Sequence, residues 1–219
     1  MIIHEDLIQG SEEWFQVRKG RATASQAKLV LTPTGKLSAS RIKYCWKLAA
    51  ECVVDDPMEF MGNKFTEWGN DHEPEARSLF EESRGINVHE VGFCTREDGV
   101  IGFSPDGLIK DNDGINGKWA GGLEIKCPSR DKHVEYVMSG GLPDEYKLQV
   151  HWSLAASGLN YWWFMSYFPG LNPFIIMVER DSFTETVKQA QDDFLIDYAR
   201  ERSLVLSQIM IKAGEEEAQ

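Results

Sequence analysis

The chain has 219 residues, 42% of them hydrophobic, with seven Trp and a formal net charge of −12. That composition excludes a disordered chain, and the length suits one sizeable core with little room for a second full domain, so residues 1–219 are expected to form a single unit. No apolar run reaches the length of a membrane span and the first residues lack the basic and apolar regions of a leader, which leads us to expect a cytoplasmic protein with no membrane contact.

Ser11-Glu12-Glu13-Trp14 reads as a helix start, with a capping Ser and acids in the first turn. A short helix is expected from Thr23 or Ser25, and longer ones over Ser38–Val54 and Phe65–Ser83, the latter ending at Gly85. Strands are expected at Val88–Phe93, Val100–Ser104, Gly107–Ile109 and Gly122–Lys126, with Lys110–Ala120 as a polar hairpin loop. Ser129 caps a helix to Met138, and Asp144 begins one to Ser157. Tyr161–Phe168 and Phe174–Glu179 read as strands, Phe183–Ile211 as a last helix and Ala213–Gln219 as a frayed acidic tail. The order of elements predicts an α/β protein with a mixed central sheet and helices on both faces. Cys45, Cys52, Cys94 and Cys127 form no Cys-x-x-Cys pair, and reduced thiols are expected.

Charge is unevenly spread. Gln16 to Ala50 contains no acidic residue but holds Arg18, Lys19, Arg21, Lys28, Lys36, Arg41, Lys43 and Lys47. A basic segment on an acidic body is an electrostatic footprint for phosphate, or else a face for an acidic protein partner or for solvent.

The chemistry concentrates in two stretches, Ser104-Pro105-Asp106-Gly107 and Leu123-Glu124-Ile125-Lys126. Residues two apart on a strand share a face, so Glu124 and Lys126 project together while Ile125 turns into the core. A hairpin that brings Asp106 beside them gathers two carboxylates and an ammonium. The repulsion between the carboxylates is relieved by a shared hard cation such as Mg²⁺, and a lysine there suits a water or a phosphate oxygen. This is the pattern of a metal-dependent phosphodiesterase. Two further polar residues fall on apolar helical stripes, Glu73 with Ala76 and Phe80, and Gln149 with Trp152 and Ala156. A buried carboxylate needs a partner, so both are candidates for the same pocket.

Asp106 followed by Glu124-Ile125-Lys126 resembles the PD-(D/E)xK nuclease signature. The flanks resemble lambda exonuclease and the related phage alkaline exonucleases: Trp14 with Arg18-Lys19-Gly20 and Thr23-Ala24-Ser25; Trp68-Gly69 with His72-Glu73 and Ala76-Arg77; Ser104-Pro105-Asp106-Gly107; Leu123 to Pro128; and Gln149-Val150. The order holds from about residue 11 to residue 180. The absence of any Cys after Cys127 excludes the iron–sulfur branch of these nucleases. The resemblance implies a restriction-endonuclease-like core and a Mg²⁺-dependent exonuclease, with Mn²⁺ as a substitute, that digests the 5′-ended strand of linear duplex DNA. It also implies a ring-shaped homotrimer, a single-strand-annealing recombinase as partner, and a phage or prophage setting in a bacterial cytoplasm.

Asp106 and Glu124 would hold the metal, with the Ile125 carbonyl a further ligand by resemblance and Glu73 on a second metal or its waters. Lys126 would orient or deprotonate the attacking water. By resemblance, Arg18 and Ser25 form a 5′-phosphate pocket; Ser104 and Gln149 would add phosphate or water contacts, and the charge pattern offers Lys36, Arg41 and Lys43 to DNA. Two alternatives stand beside this: a restriction-type or structure-specific endonuclease on the same fold, and a DNA-binding recombination scaffold without catalysis.

Overall fold

Two four-stranded sheets carry the fold. The structure is a computed structural model and describes residues 1–53, 64–111 and 117–215. The first sheet has the order β1 (Ile2–His4), β3 (Phe93–Thr95), β4 (Ile101–Phe103), β2 (Ala22–Thr23). The second runs β5 (Gly107–Lys110), β6 (Trp119–Lys126), β7 (Tyr161–Ser166), β8 (Phe174–Glu179). Both are mixed: β2–β4 and β6–β7 are parallel, and the remaining pairs are antiparallel. The mixed α/β class expected from the sequence is present, with its strands divided between two hydrogen-bonded sheets.

The division passes through the strand expected at Val88–Phe93. His89 bridges to Leu108 of β5, whereas regular pairing begins only at Phe93, in the other sheet. Between them a Cβ on Gly92 would lie 2.1 Å from the Leu7 carbonyl oxygen, so the chain presses against the N-terminal segment there and passes from one sheet to the other. Strands β1 and β2 were not expected. Each is two or three residues long and is defined by its neighbour rather than by its own periodicity.

The helices are α1 (Glu12–Arg18), α2 (Arg41–Glu51), α3 (Lys64–Arg84), α4 (Arg130–Ser139), α5 (Asp144–Ser157) and α6 (Ser182–Glu215). A single 3-10 segment, Ala24–Leu29, follows β2 among the described residues. Helix α1 starts as its sequence predicts: the Ser11 hydroxyl accepts from the Trp14 N–H and two acids occupy the first turn. Helix α2 is shorter than expected at both ends, although Val54 lies outside the described residues. Helix α6 runs past Ile211 to Glu215, so the expected fraying is absent at 213–215, and 216–219 lie outside the described residues. No helix among the described residues is long and apolar enough to cross a membrane.

Both faces of the second sheet are covered. Along β7, Trp162 and Phe164 join a core with Leu148, Val150 and Trp152 of α5. Met165, with Tyr161 and Trp163 at its margin, joins a second core with Ala76 and Phe80 of α3 and with Leu123 and Ile125 of β6. Period-two alternation therefore sends successive side chains to opposite helical layers. Gly122 belongs to this packing. A Cβ there would stand 2.4 Å from the Trp162 ring, and only glycine lets that indole cross the parallel neighbour.

Candidate active site

The turn after β4 and the end of β6 meet at one rim of the second sheet. Asp106 is fixed there from three sides. Its N–H donates to the Leu123 carbonyl at 3.0 Å, and its Oδ2 accepts from the Ile125 N–H at 2.5 Å. Its own carbonyl accepts from Arg77 Nε at 3.1 Å. The antiparallel register of β5 on β6, with Gly107 opposite Leu123, sets Asp106 beside Glu124. Ile125 is buried in the core as its position predicts.

Glu124 is 2% exposed. Its Oε1 pairs with Lys126 Nζ and accepts from Gln149 Nε2 at 2.6 Å, the amide coming from α5 across the sheet face. The Lys126 ammonium also lies 5.4 Å from the centre of the Tyr146 ring. Burial pushes Glu124 up to about 7, against the pull of Lys126 and with the help of Asp106. Asp106 is raised by burial too, although Lys126, the Ile125 N–H and Arg77 oppose the shift. Burial works against the charge on Lys126, but Glu124 and then Asp106 outweigh it and the ammonium is held well above its ordinary value.

Glu73 approaches from α3. Burial pushes it up to about 7, with Asp106 adding to the shift and Arg77 and Lys126 opposing it. Three acids that resist ionisation close to one another form a set whose repulsion a divalent cation would relieve. Two carboxylates and a backbone carbonyl are all hard oxygen donors, matching Mg²⁺, which keeps several waters and needs few protein ligands. Among the described residues no three His, Cys, Asp or Glu side chains form a metal-binding group on their own, so waters or substrate oxygens would complete the shell.

Two clefts meet at Glu73 and Asp106. One, of about 640 Å³, has an apolar wall from Leu7, Ile8, Trp14 and Phe15 and a polar wall from Glu73, Arg77, Glu90 and Asp106. The other, of about 430 Å³, is lined by Lys126, Lys132, Tyr136 and Tyr146.

Arg18, Ser25 and Ser104 also come together. Arg18 donates through Nη1 to Ser104 Oγ at 2.7 Å, and its Nη2 lies 3.5 Å from Ser25 Oγ. The guanidinium stacks 4.0 Å from the centre of the Trp14 ring, and the Trp14 indole N–H reaches Ser104 Oγ at 3.2 Å. Burial lowers the Arg18 pKa to about 10, partly offset by Tyr44, so it stays cationic at neutral pH. Ser104 precedes Asp106 by two residues, which links this cluster to the carboxylates through the backbone.

The basic segment is not one surface. Lys36 and Lys43 are exposed, but Arg41 is half-buried and pairs with Asp197 of α6, so its charge is already engaged. Sequence reasoning gave Arg77 no role. Its signal was a basic residue one helical turn beyond an acid on an apolar stripe, the i, i+4 spacing that places both side chains together.

No curated protein sequence matches the chain. Among solved structures, the alkaline exonuclease LHK-Exo from Laribacter hongkongensis is 29% identical, with a TM-score of 0.76 over 93% of this chain and 100% of that one. The same nuclease in complex with dAMP gives equal identity and TM-score over 91% and 98%. A phage-related exonuclease from Haemophilus somnus 129PT, 14% identical with a TM-score of 0.61 over 86% and 96%, shares the fold. Residues 13–160, which include Arg18, Glu73, Asp106, Glu124, Lys126 and Gln149, match the YqaJ-like viral recombinase domain. This chain belongs to the family of YqaJ-like viral recombinase domains, and its fold is that of the alkaline exonuclease LHK-Exo.

Proposed function

We propose that the chain is a Mg²⁺-dependent exonuclease that digests the 5′-ended strand of linear duplex DNA and leaves a 3′ single-stranded overhang for phage-type homologous recombination. One observation carries the reading: buried Glu124, paired with Lys126 and held by Gln149, stands beside Asp106, whose carboxylate is fixed by the Ile125 N–H. The alkaline exonuclease with dAMP supports a nucleotide product.

Asp106, Glu124 and the Ile125 carbonyl would hold Mg²⁺ or Mn²⁺, with Glu73 serving its waters or a second ion. Once bound, the metal would supply a Lewis acid and an activated water. Lys126 would orient the attacking water, and its ammonium would offset charge developing on the phosphate. Gln149 donates to Glu124 and limits its rotation. Arg18, already aligned on Ser104, offers a planar fork to the terminal 5′-phosphate, with Ser25 beside it. That cluster adjoins Asp106, which supports 5′-to-3′ polarity. A homotrimeric ring around the duplex and a single-strand-annealing recombinase as partner complete the proposal.

Linear and closed circular duplex incubated with Mg²⁺ test it. Loss of linear DNA alone, with mononucleotides released from 5′-phosphorylated ends, is expected. Loss of both substrates would mark an endonuclease, and loss of neither a binding scaffold.

A further inference from the structure

Arg77 is the residue near the carboxylates that the chemistry above leaves without a function. Its side chain is 11% exposed. Each of its three nitrogens meets a different partner: Nε the Asp106 carbonyl at 3.1 Å, Nη2 the Glu73 carboxylate at 2.5 Å, and Nη1 the Glu90 carboxylate at 3.0 Å. Two of these partners belong to the acidic cluster, and they come from different elements. Glu73 rides on α3, and Asp106 on the turn between β4 and β5. Asp106 is tied to β6 by its N–H and its carboxylate, but only its carbonyl faces α3 through Arg77. The third partner, Glu90, is 72% exposed, so its ion pair is screened and supplies little reason to bury a guanidinium.

We propose that Arg77 is a positioning residue that sets the Glu73 carboxylate relative to Asp106 by clamping both with one rigid fork, and so fixes the geometry in which the acids take up a divalent cation. This rests on the nuclease reading. The fork is the relevant property. A lysine keeps the charge but is a point donor that cannot serve a carbonyl and two carboxylates in fixed directions. Groups that orient metal ligands without binding metal typically contribute about 10–100-fold to affinity or activity.

The test titrates the full chain with Mn²⁺ by calorimetry, without DNA, and measures steady-state cleavage separately. Arg77→Lys should melt within a few degrees of the wild type and bind Mn²⁺ about 10–100-fold more weakly. Its kcat should fall while KM for DNA holds. In a Glu73→Gln background the further loss of Mn²⁺ affinity from Arg77→Lys should shrink several-fold, because one arm of the clamp is already gone. If Arg77→Lys fails to fold, Arg77→Gln, which keeps one donor for the Asp106 carbonyl, takes its place with the same expectations. Mn²⁺ affinity within twofold of the wild type would overturn the proposal. So would a raised KM at unchanged kcat, which would make Arg77 a DNA contact. A wild type that neither binds Mn²⁺ nor cleaves DNA would instead refute the nuclease reading itself.

Discussion

Glu124 is almost sealed from solvent and still carries two polar partners, an arrangement that costs stability unless the charge is used. Glu124→Gln should therefore abolish cleavage without lowering the melting temperature. Asp106→Asn should do the same, because the amide oxygen can still accept from the Ile125 N–H. Thermal melts and nucleotide release would check both, and full activity in a chelator would sink the metal assignment. Lys126→Ala should lose about 10²–10³ in rate, the usual effect of removing a positioned electrostatic group, while DNA affinity measured in Ca²⁺ changes little. Arg18 tests the strand end. Wild type should prefer 5′-phosphorylated over 5′-hydroxyl duplex. Arg18→Ala should slow only the phosphorylated substrate, since misplacing a reacting group by about 1 Å can cost on the order of 10²-fold. Equal slowing of both substrates would make Arg18 a general DNA-binding or structural residue.

At the scale of elements, α2 and α6 are joined by Arg41 and Asp197, whose side chains are 17% and 12% exposed. Among the described residues, Arg41→Ala leaves Asp197 the weaker approach of Arg200 at 3.3 Å. A destabilisation of about 1–3 kcal/mol follows, less than for a fully buried pair because both groups keep some solvent. The salt dependence of DNA binding should barely move. Lys36→Glu with Lys43→Glu should instead flatten it, by roughly one unit of slope for each phosphate that the protein no longer neutralises. An unchanged slope would assign both lysines to solvent or to a protein partner. Arg41 also marks where sequence reading runs out. An acid-free run reveals charge, but the carboxylate that claims this arginine comes from the last helix, far along the chain. The two stretches that carry the acids and the lysine were legible because they are local. Glu124 and Lys126 share a face by strand period, and Asp106 reaches them through a hairpin. Gln149 and Glu73 were visible as polar breaks in apolar stripes. Strands β1 and β2 carry no such signal, because their pairing partners alone define them. The passage of residues 88–95 between two sheets was hidden by an alternation that continues across Gly92.

For the molecule as a whole, one group through which acid should act is His151. This ring is buried where α5 meets the start of α6, with Nδ1 hydrogen-bonded to Thr184 Oγ1 at 2.8 Å and its face packed edge-on to Phe183. Burial holds its pKa below 6.5, against Asp181 at 3.5 Å and with the help of Lys147. The unfolded chain then binds the proton more readily than the folded one. The contribution of the neutral ring is complete above about pH 6.5 and is lost as pH falls below that value. Over pH 7 to about 5.5 the raised carboxyls of Glu73 and Glu124 stabilise the folded chain as they take up protons, so His151 shows as a difference: the melting temperature of His151→Gln should gain on that of the wild type as pH falls. Equal slopes in the two proteins would place the acid sensitivity elsewhere. The parallel pairing of β6 with β7 has a kinetic consequence. Asp106 and Glu124 sit at the two arms of one hairpin, whereas β7 can dock only after α4 and α5 have been threaded between the strands. Local hairpins close within about 1–10 μs, and non-local parallel pairing lags far behind. During refolding, or as the chain leaves the ribosome, the two acids should be neighbours well before Gln149 arrives to restrain one of them. Stopped-flow refolding should therefore show protection of the β5–β6 amides ahead of the first cleavage event. A half-made chain would gather its two acids before the fold that braces them is complete.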